Sequence, residues 1–356
     1  MAKSKQIGLV LQGGGALGAF EYGVVTELVE QGYQPVAVSG VSIGAINAAA
    51  IAGAPGGDIA ASLKRMWDTI TLPDVPWWPK AQQADLSMLG NPPFWRARTD
   101  YLDMAGWTSY CDTSPMLATL ASHLDFRQLN DPHHIRIGVT ATDLHTGGQT
   151  TFSNFMFGNV RDDAGNHKAH AATLTPEHIL ASGSLPPGFP PVQIEGRMYW
   201  DGGLFSNTPI DSLLNLLTPD EIAHLPIYVV DLFPTSGLPA PQNMIEVQSR
   251  ALALQYQNRF WADYGGTAAL AEFLQMLEGV ASLAKGNPIE HTPAFKWLQR
   301  LHALKNVRVI SGAQVVYGKD HDFSPYGVGQ RYAAGRAAVQ AHMEEAAVPA
   351  TLARVA

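Results

Sequence analysis

The feature that most constrains this chain is the alternation along its N-terminal stretch of short apolar runs, glycine turns and helical segments. Ile7 to Leu11 is an apolar run that ends at Gly13-Gly14-Gly15, as a strand covered on both faces ends at a turn. Phe20, Val24 and Leu28 then recur about one helical turn apart, and Gly32 supplies a stop, so a helix is expected from about Gly18 to Gln31. Val36 to Ser39 reads as a second strand. Ile43 to Ala52, apolar on nearly every side, reads as a buried helix. Strands alternating with helices predict a doubly wound α/β fold with a mainly parallel central sheet.

Past this unit the pattern loosens. Pro73, Pro76, Pro79, Pro92 and Pro93 break any regular element, and Trp77, Trp78, Trp95 and Trp107 crowd the same stretch. Helical spacing returns over Ser114 to Leu124, with Pro115 suited to a first helical turn. Ile135 to Thr140 is a further strand. Thr150 to Phe157, with the polar insert Arg161 to Asn166, reads as a hairpin or extended loop. Glu177 to Ser182 starts a helix after Pro176, and Val192 to Ile194 with Met198 to Trp200 form a hairpin about Glu195-Gly196. Ile227 to Leu232 is the last strong strand before a mainly helical stretch that contains one more, Val307 to Ile310. A core over 1–240 and a C-terminal, mainly helical extension over 241–356, packed on that core, are expected.

Composition narrows the function. With 46% hydrophobic and 15% charged residues among 356, the chain can bury a large core, and its net charge of −8 argues against a nucleic-acid partner. Cys111 is the single cysteine, which excludes a disulfide framework within one chain and a cysteine-rich metal site. The first apolar run is too short for a signal-peptide core, and no run approaches the ~18 apolar residues of a membrane-spanning helix. A soluble cytoplasmic protein is expected, able to touch a membrane from its surface. Nothing in the sequence sets an oligomeric state.

Gly40-Val41-Ser42-Ile43-Gly44 fits G-x-S-x-G between a strand and a helix, the setting that this nucleophile motif requires. The serine would sit on a sharp turn where side chains two positions either side have no room, and the helix start would offer positive charge to an oxyanion. Gly13-Gly14-Gly15 can turn backbone N–H groups toward an anion, either a phosphate or the oxyanion of an acyl-transfer intermediate. Gly13, Gly15 and Gly18 also satisfy G-x-G-x-x-G. The dinucleotide fingerprint, however, wants an acid at the end of the second strand, and that strand runs into Ser42 instead. Asp201, directly off a strand and followed by Gly202 and Gly203, is the strongest acidic candidate. His145 is the histidine nearest a suggestive loop.

These three motifs, in this order, resemble the patatin-like phospholipase family. The likeness extends through Ala181 to Pro186, Phe189 to Val192, Tyr199 to Gly203 and Asn207-Thr208-Pro209, and so covers about residues 6–235. The C-terminal part, with Asp322-Phe323-Ser324, is similar to an extension in a bacterial subgroup. One departure is Leu17, where many relatives carry Arg or Lys, which leaves no cation there to hold an oxyanion or headgroup. The resemblance implies a three-layer fold and a Ser–Asp dyad: Asp201 takes the proton of Ser42 as it attacks an ester, and Gly13, Gly14, Gly15 and Ile43 supply oxyanion donors. It implies neither metal nor cofactor, and a lipid or other apolar ester as substrate. Trp77, Trp78, Phe94 and Trp95 are the candidates for lipid contact, because tryptophan favours the water–hydrocarbon boundary; a buried lid or core plug is the alternative for the same segment. The rival functions are an acyltransferase or thioesterase, a polyester (polyhydroxyalkanoate) depolymerase, and a non-catalytic lipid-binding module.

Overall fold

The computed structural model describes residues 5–155, 160–161, 167–233, 240–257, 268–312 and 320–347. Strand β1 (Lys5–Leu11) leads through the glycine turn to helix α1 (Ala19–Glu30), and β2 (Tyr33–Val41) leads through a single residue to α2 (Ile43–Ala52) and then α3 (Ile59–Ile70). Downstream come β3 (Arg136–Asp143), β4 (Gln149–Ser153), α4 (Pro176–Ser182), the hairpin β5 (Val192–Ile194) and β6 (Arg197–Asp201), β7 (Ile227–Asp231), β8 (Val307–Ser311) and α5 (Pro325–Ala347). Residues 156–157 and 162–166 of the expected hairpin lie outside the described residues. Around them, Val160–Arg161 and His167–Ala171 continue the sheet beyond β4.

The strands β8, β7, β1, β2 and β3 lie side by side in that order, all parallel. The β4 and β6 pairings with β3 are antiparallel. The period-two alternation of side chains builds the two faces. Ile7, Leu9, Leu11, Val38, Tyr228 and Val230 pack on one side with Val24, Leu28, Ile51 and Trp67, whereas Val10, Ala37, Ile227 and Val229 pack on the other with Leu213, Leu217 and Leu304. Helices therefore flank a mainly parallel sheet in three layers.

The C-terminal stretch takes part in this architecture. Strand β8 extends the sheet, and α5 lies against α1. Two mid-helix glycines allow that approach: a Cβ on Gly23 would stand 2.1 Å from the Tyr332 carbonyl oxygen, and one on Gly335 2.1 Å from that of Phe20. Arg336 adds ion pairs to Glu27 and Glu30 across the same contact. The proline- and tryptophan-rich segment forms short turns and a small separate sheet of Gly90–Asn91, Trp95–Ala97 and Cys111–Asp112. No helix among the described residues is long and apolar enough to cross a membrane.

Candidate active site

Ser42 occupies the tight turn between β2 and α2 with φ 55° and ψ −125°, a conformation that a non-glycine residue holds only when its surroundings enforce it. The flanking glycines show how. A Cβ on Gly40 would lie 2.2 Å from the Gly44 carbonyl oxygen, and one on Gly44 2.5 Å from that of Leu11. The Ser42 N–H donates to the Ser182 carbonyl at 3.1 Å and to Ser182 Oγ at 2.9 Å, which ties the turn to the end of α4.

Register along β3 brings the acid to the serine. Val41, the last residue of β2, pairs with Thr140, and Asp201, the last residue of β6, pairs with Ala141. The two strands approach β3 on the same side from opposite directions, so their ends meet. Asp201 is 2% exposed, accepts from the Gly203 N–H at 2.7 Å, and lines the same cavity as Ser42, whose hydroxyl favours its charged form. Burial pushes its carboxyl up to about 7, against the pull of those two donors toward the charged form. Gly202 has a positional reason as well: a Cβ there would stand 2.3 Å from the Thr140 carbonyl oxygen.

The glycine turn lies beside Ser42 at the C-terminal ends of β1 and β2, the edge where open α/β sheets bind ligands. Among the described residues, the N–H groups of Gly14 and Gly15, and of Ile43 at the start of α2, have no acceptor. Gly13 departs from expectation. Its N–H donates to Asn207 Oδ1 at 3.1 Å, while Asn207 Nδ2 donates back to the Gly13 carbonyl at 3.1 Å. Gly13 is thus anchored by a side chain and does not offer a free donor. Gly18 has a packing role, because a Cβ there would meet Ile43 Cγ1 at 2.6 Å. Beneath the turn the buried Glu21 accepts from the Gln12 N–H at 2.6 Å and from Asn47 Nδ2 at 2.9 Å, and burial raises its carboxyl well above the usual range.

Ser42, Asp201 and the glycine turn open on a cavity of about 220 Å³ whose walls include Ile46, Phe94, Trp95, Leu185, Phe189, Phe233, Tyr256, Asp320, His321 and Phe323. The four aromatic residues considered for lipid contact separate here. Phe94 and Trp95 are buried at 7% and 8% exposure and line this cavity, whereas Trp77 is 84% exposed and Trp78 also faces outward. His145 does not join the cavity; its N–H caps Asp143, which pairs with Arg197. The histidine that does is His321, whose Nδ1 lies 3.4 Å from Asp320 Oδ1 and whose ring is held toward the charged form by that carboxylate. No local motif marks His321. It reaches the cavity only because the chain returns from β8, and Asp320 is fastened there by its carbonyl, which accepts from the Ala16 N–H at 2.6 Å. No group of three or more His, Cys, Asp or Glu side chains among the described residues could hold a metal ion.

Comparison with known proteins gives one family. A family model described as patatin-like phospholipase matches residues 9–214. Among solved structures, the chain is similar to VipD from Legionella pneumophila, with 15% identity over 96% of this chain and 67% of that one and a TM-score of 0.41. It is also similar to human GIVD cytosolic phospholipase A2, at 14% identity over 94% of this chain and a TM-score of 0.32. It spans 59% of that enzyme's length, and the same share of the matched structure of the Pseudomonas aeruginosa SpcU–ExoU complex, where identity is 16%, 80% of this chain is covered and the TM-score is 0.26. No curated protein sequence matches the chain.

Proposed function

Because the chain belongs to the patatin-like phospholipase family, we propose that it hydrolyses carboxylic ester bonds of lipids through a Ser42–Asp201 dyad and an acyl-enzyme intermediate. The observation that carries this reading is that neighbouring registers on β3 bring the buried Asp201 carboxyl into one cavity with Ser42 at its strained turn. Asp201 removes the hydroxyl proton as Ser42 Oγ attacks the ester carbonyl carbon. The oxyanion of the tetrahedral intermediate is held by the N–H groups of Gly14, Gly15 and Ile43; each such donor contributes about 3 kcal/mol in serine hydrolases. Collapse breaks the bond to the alkoxy group, which leaves as the alcohol with the proton from Asp201. Water then attacks the acyl-enzyme, gives its proton to Asp201, and the acid is released as the proton returns to Ser42.

The test is labelling by a fluorophosphonate probe together with hydrolysis of soluble esters. Wild type should label and turn over, Ser42→Ala should do neither, and Asp201→Asn should lose about 10²–10⁴-fold in turnover, the range for a positioned general base. A histidine-based acyltransferase is the second reading, favoured by one observation: His321 stands in the same cavity, oriented by Asp320. Loss of turnover in His321→Gln, with turnover kept in Asp201→Asn, would overturn the dyad in favour of that reading.

We also infer that the substrate is taken from a lipid surface through the tryptophan-bearing segment. Its inner residues Phe94 and Trp95 wall the cavity while Trp77 and Trp78 face outward, which suits a boundary between water and hydrocarbon. Wild type should float with phospholipid vesicles and the Trp77→Ala/Trp78→Ala double variant should not; equal flotation would remove the idea.

A further inference from the structure

The cavity beside Ser42 runs from an exposed rim, where Asp320 and His321 are about half accessible, to an aromatic interior in which Phe323 is 2% exposed. Phe323 meets Phe94 edge-on at 5.7 Å and Trp95 at 5.4 Å between ring centroids. Its other side stacks on Trp67 at 6.2 Å, and Trp67 is buried and takes no part in the cavity wall. One ring thus separates the cavity from the core behind it.

The backbone that carries that ring is held from several directions. The Phe323 carbonyl accepts from the Leu72 N–H at 2.8 Å, and its N–H donates to the His321 carbonyl at 3.0 Å. One residue on, Ser324 donates from its N–H and its hydroxyl to Asp322 Oδ1, while Arg331 pairs with the same carboxylate. Asp320 is fastened to the glycine turn through Ala16. With its backbone so fixed, the ring is wedged between Trp67 on one side and Phe94 and Trp95 on the other, and it cannot swing aside without displacing one of them.

Resting on the ester-hydrolase reading, we propose that Phe323 is the end wall of an acyl-chain pocket and restricts the enzyme to acyl groups of short to medium length. A cavity of about 220 Å³ holds roughly seven groups the size of a water molecule, each taking ~30 Å³, which suits an octanoyl chain and excludes a palmitoyl chain. The wall comes from a segment outside the part of the chain matched by the family model, so chain-length choice is set apart from the residues proposed for the chemistry.

The test compares kcat/KM for p-nitrophenyl butyrate, octanoate and palmitate. Wild type should prefer octanoate. Phe323→Ala, by opening the cavity toward Trp67, should raise the palmitate-to-octanoate ratio by about tenfold or more, the discrimination one or two methylenes give in an apolar pocket. The ratio does not depend on the folded fraction, and Phe323→Leu provides a milder variant, with a smaller shift in the same direction. Unchanged ratios in both variants, or a wild type indifferent to chain length, would overturn the proposal. A chain that neither turns over any ester nor labels with fluorophosphonate would instead overturn the hydrolase reading on which it rests.

Discussion

Asp201 illustrates how burial sets both reactivity and cost. In water a carboxylate, with a pKa near ~4, is a poor base for an alcohol; burial here pushes it up to about 7, where it can hold a proton that the serine gives up. Since the base must be ionised to act, kcat/KM should rise with pH along a single ionisation centred near 7, and a flat profile between pH 5 and 8 would contradict the assignment. The same shift bears on stability. A carboxyl whose folded pKa lies above its unfolded value binds its proton more tightly when folded, so its contribution is complete below about pH 4 and is lost as pH rises through the folded pKa. Asp201→Asn should therefore be more stable to unfolding than wild type at pH 8, by on the order of a few kcal/mol in denaturant titrations, with the gap closing toward pH 4. Glu21 obeys the same sign, its carboxyl being raised well above the usual range by burial. Glu21→Gln should keep the fold, and its stability relative to wild type should improve as pH rises; a loss that is largest at high pH would show that the charged form is the one required.

The turn around Ser42 is legible in the sequence, because its requirement is steric and short in range. G-x-S-x-G states that two side chains must be missing, and the distances of 2.2 and 2.5 Å from virtual Cβ atoms to backbone oxygens supply the reason. Gly40→Ala should distort the turn, costing about 1–3 kcal/mol or more of stability together with fluorophosphonate labelling; a variant that keeps both would show that the turn has slack. The glycine turn was legible as an anion cradle but not in its division of labour. Gly13 is taken by Asn207, an exchange that no local pattern announces. By sequence the tryptophan-rich segment suits either lipid contact or a buried lid or core plug. It does not behave as one unit, since Phe94 and Trp95 wall the cavity while Trp77 and Trp78 face outward.

Strand β8, helix α5 and the Asp320–Phe323 segment tie the C-terminal stretch to the sheet, to α1 and to the cavity. We propose that the chain does not divide at about residue 240 into parts that fold alone. Removal of the residues beyond it would bare the β7 edge and the α1 face around Phe20 and Gly23, so the truncated chain should show no cooperative thermal transition. A soluble 1–240 fragment that melts cooperatively and labels at Ser42 would establish an independent catalytic domain instead. The strand–helix order, the serine turn and the anion-ready glycines follow from residues adjacent in the chain, since each depends on side-chain alternation, helical spacing or the absence of a Cβ. The meeting of Ser42 with Asp201 depends on neighbouring registers on β3, and the arrival of His321 and Phe323 depends on the chain returning from the far edge of the sheet. Local sterics leave a mark in a handful of consecutive residues. Strand pairing across the chain leaves none, because the same apolar alternation would suit several partners, and it is the choice among them that assembles the cavity.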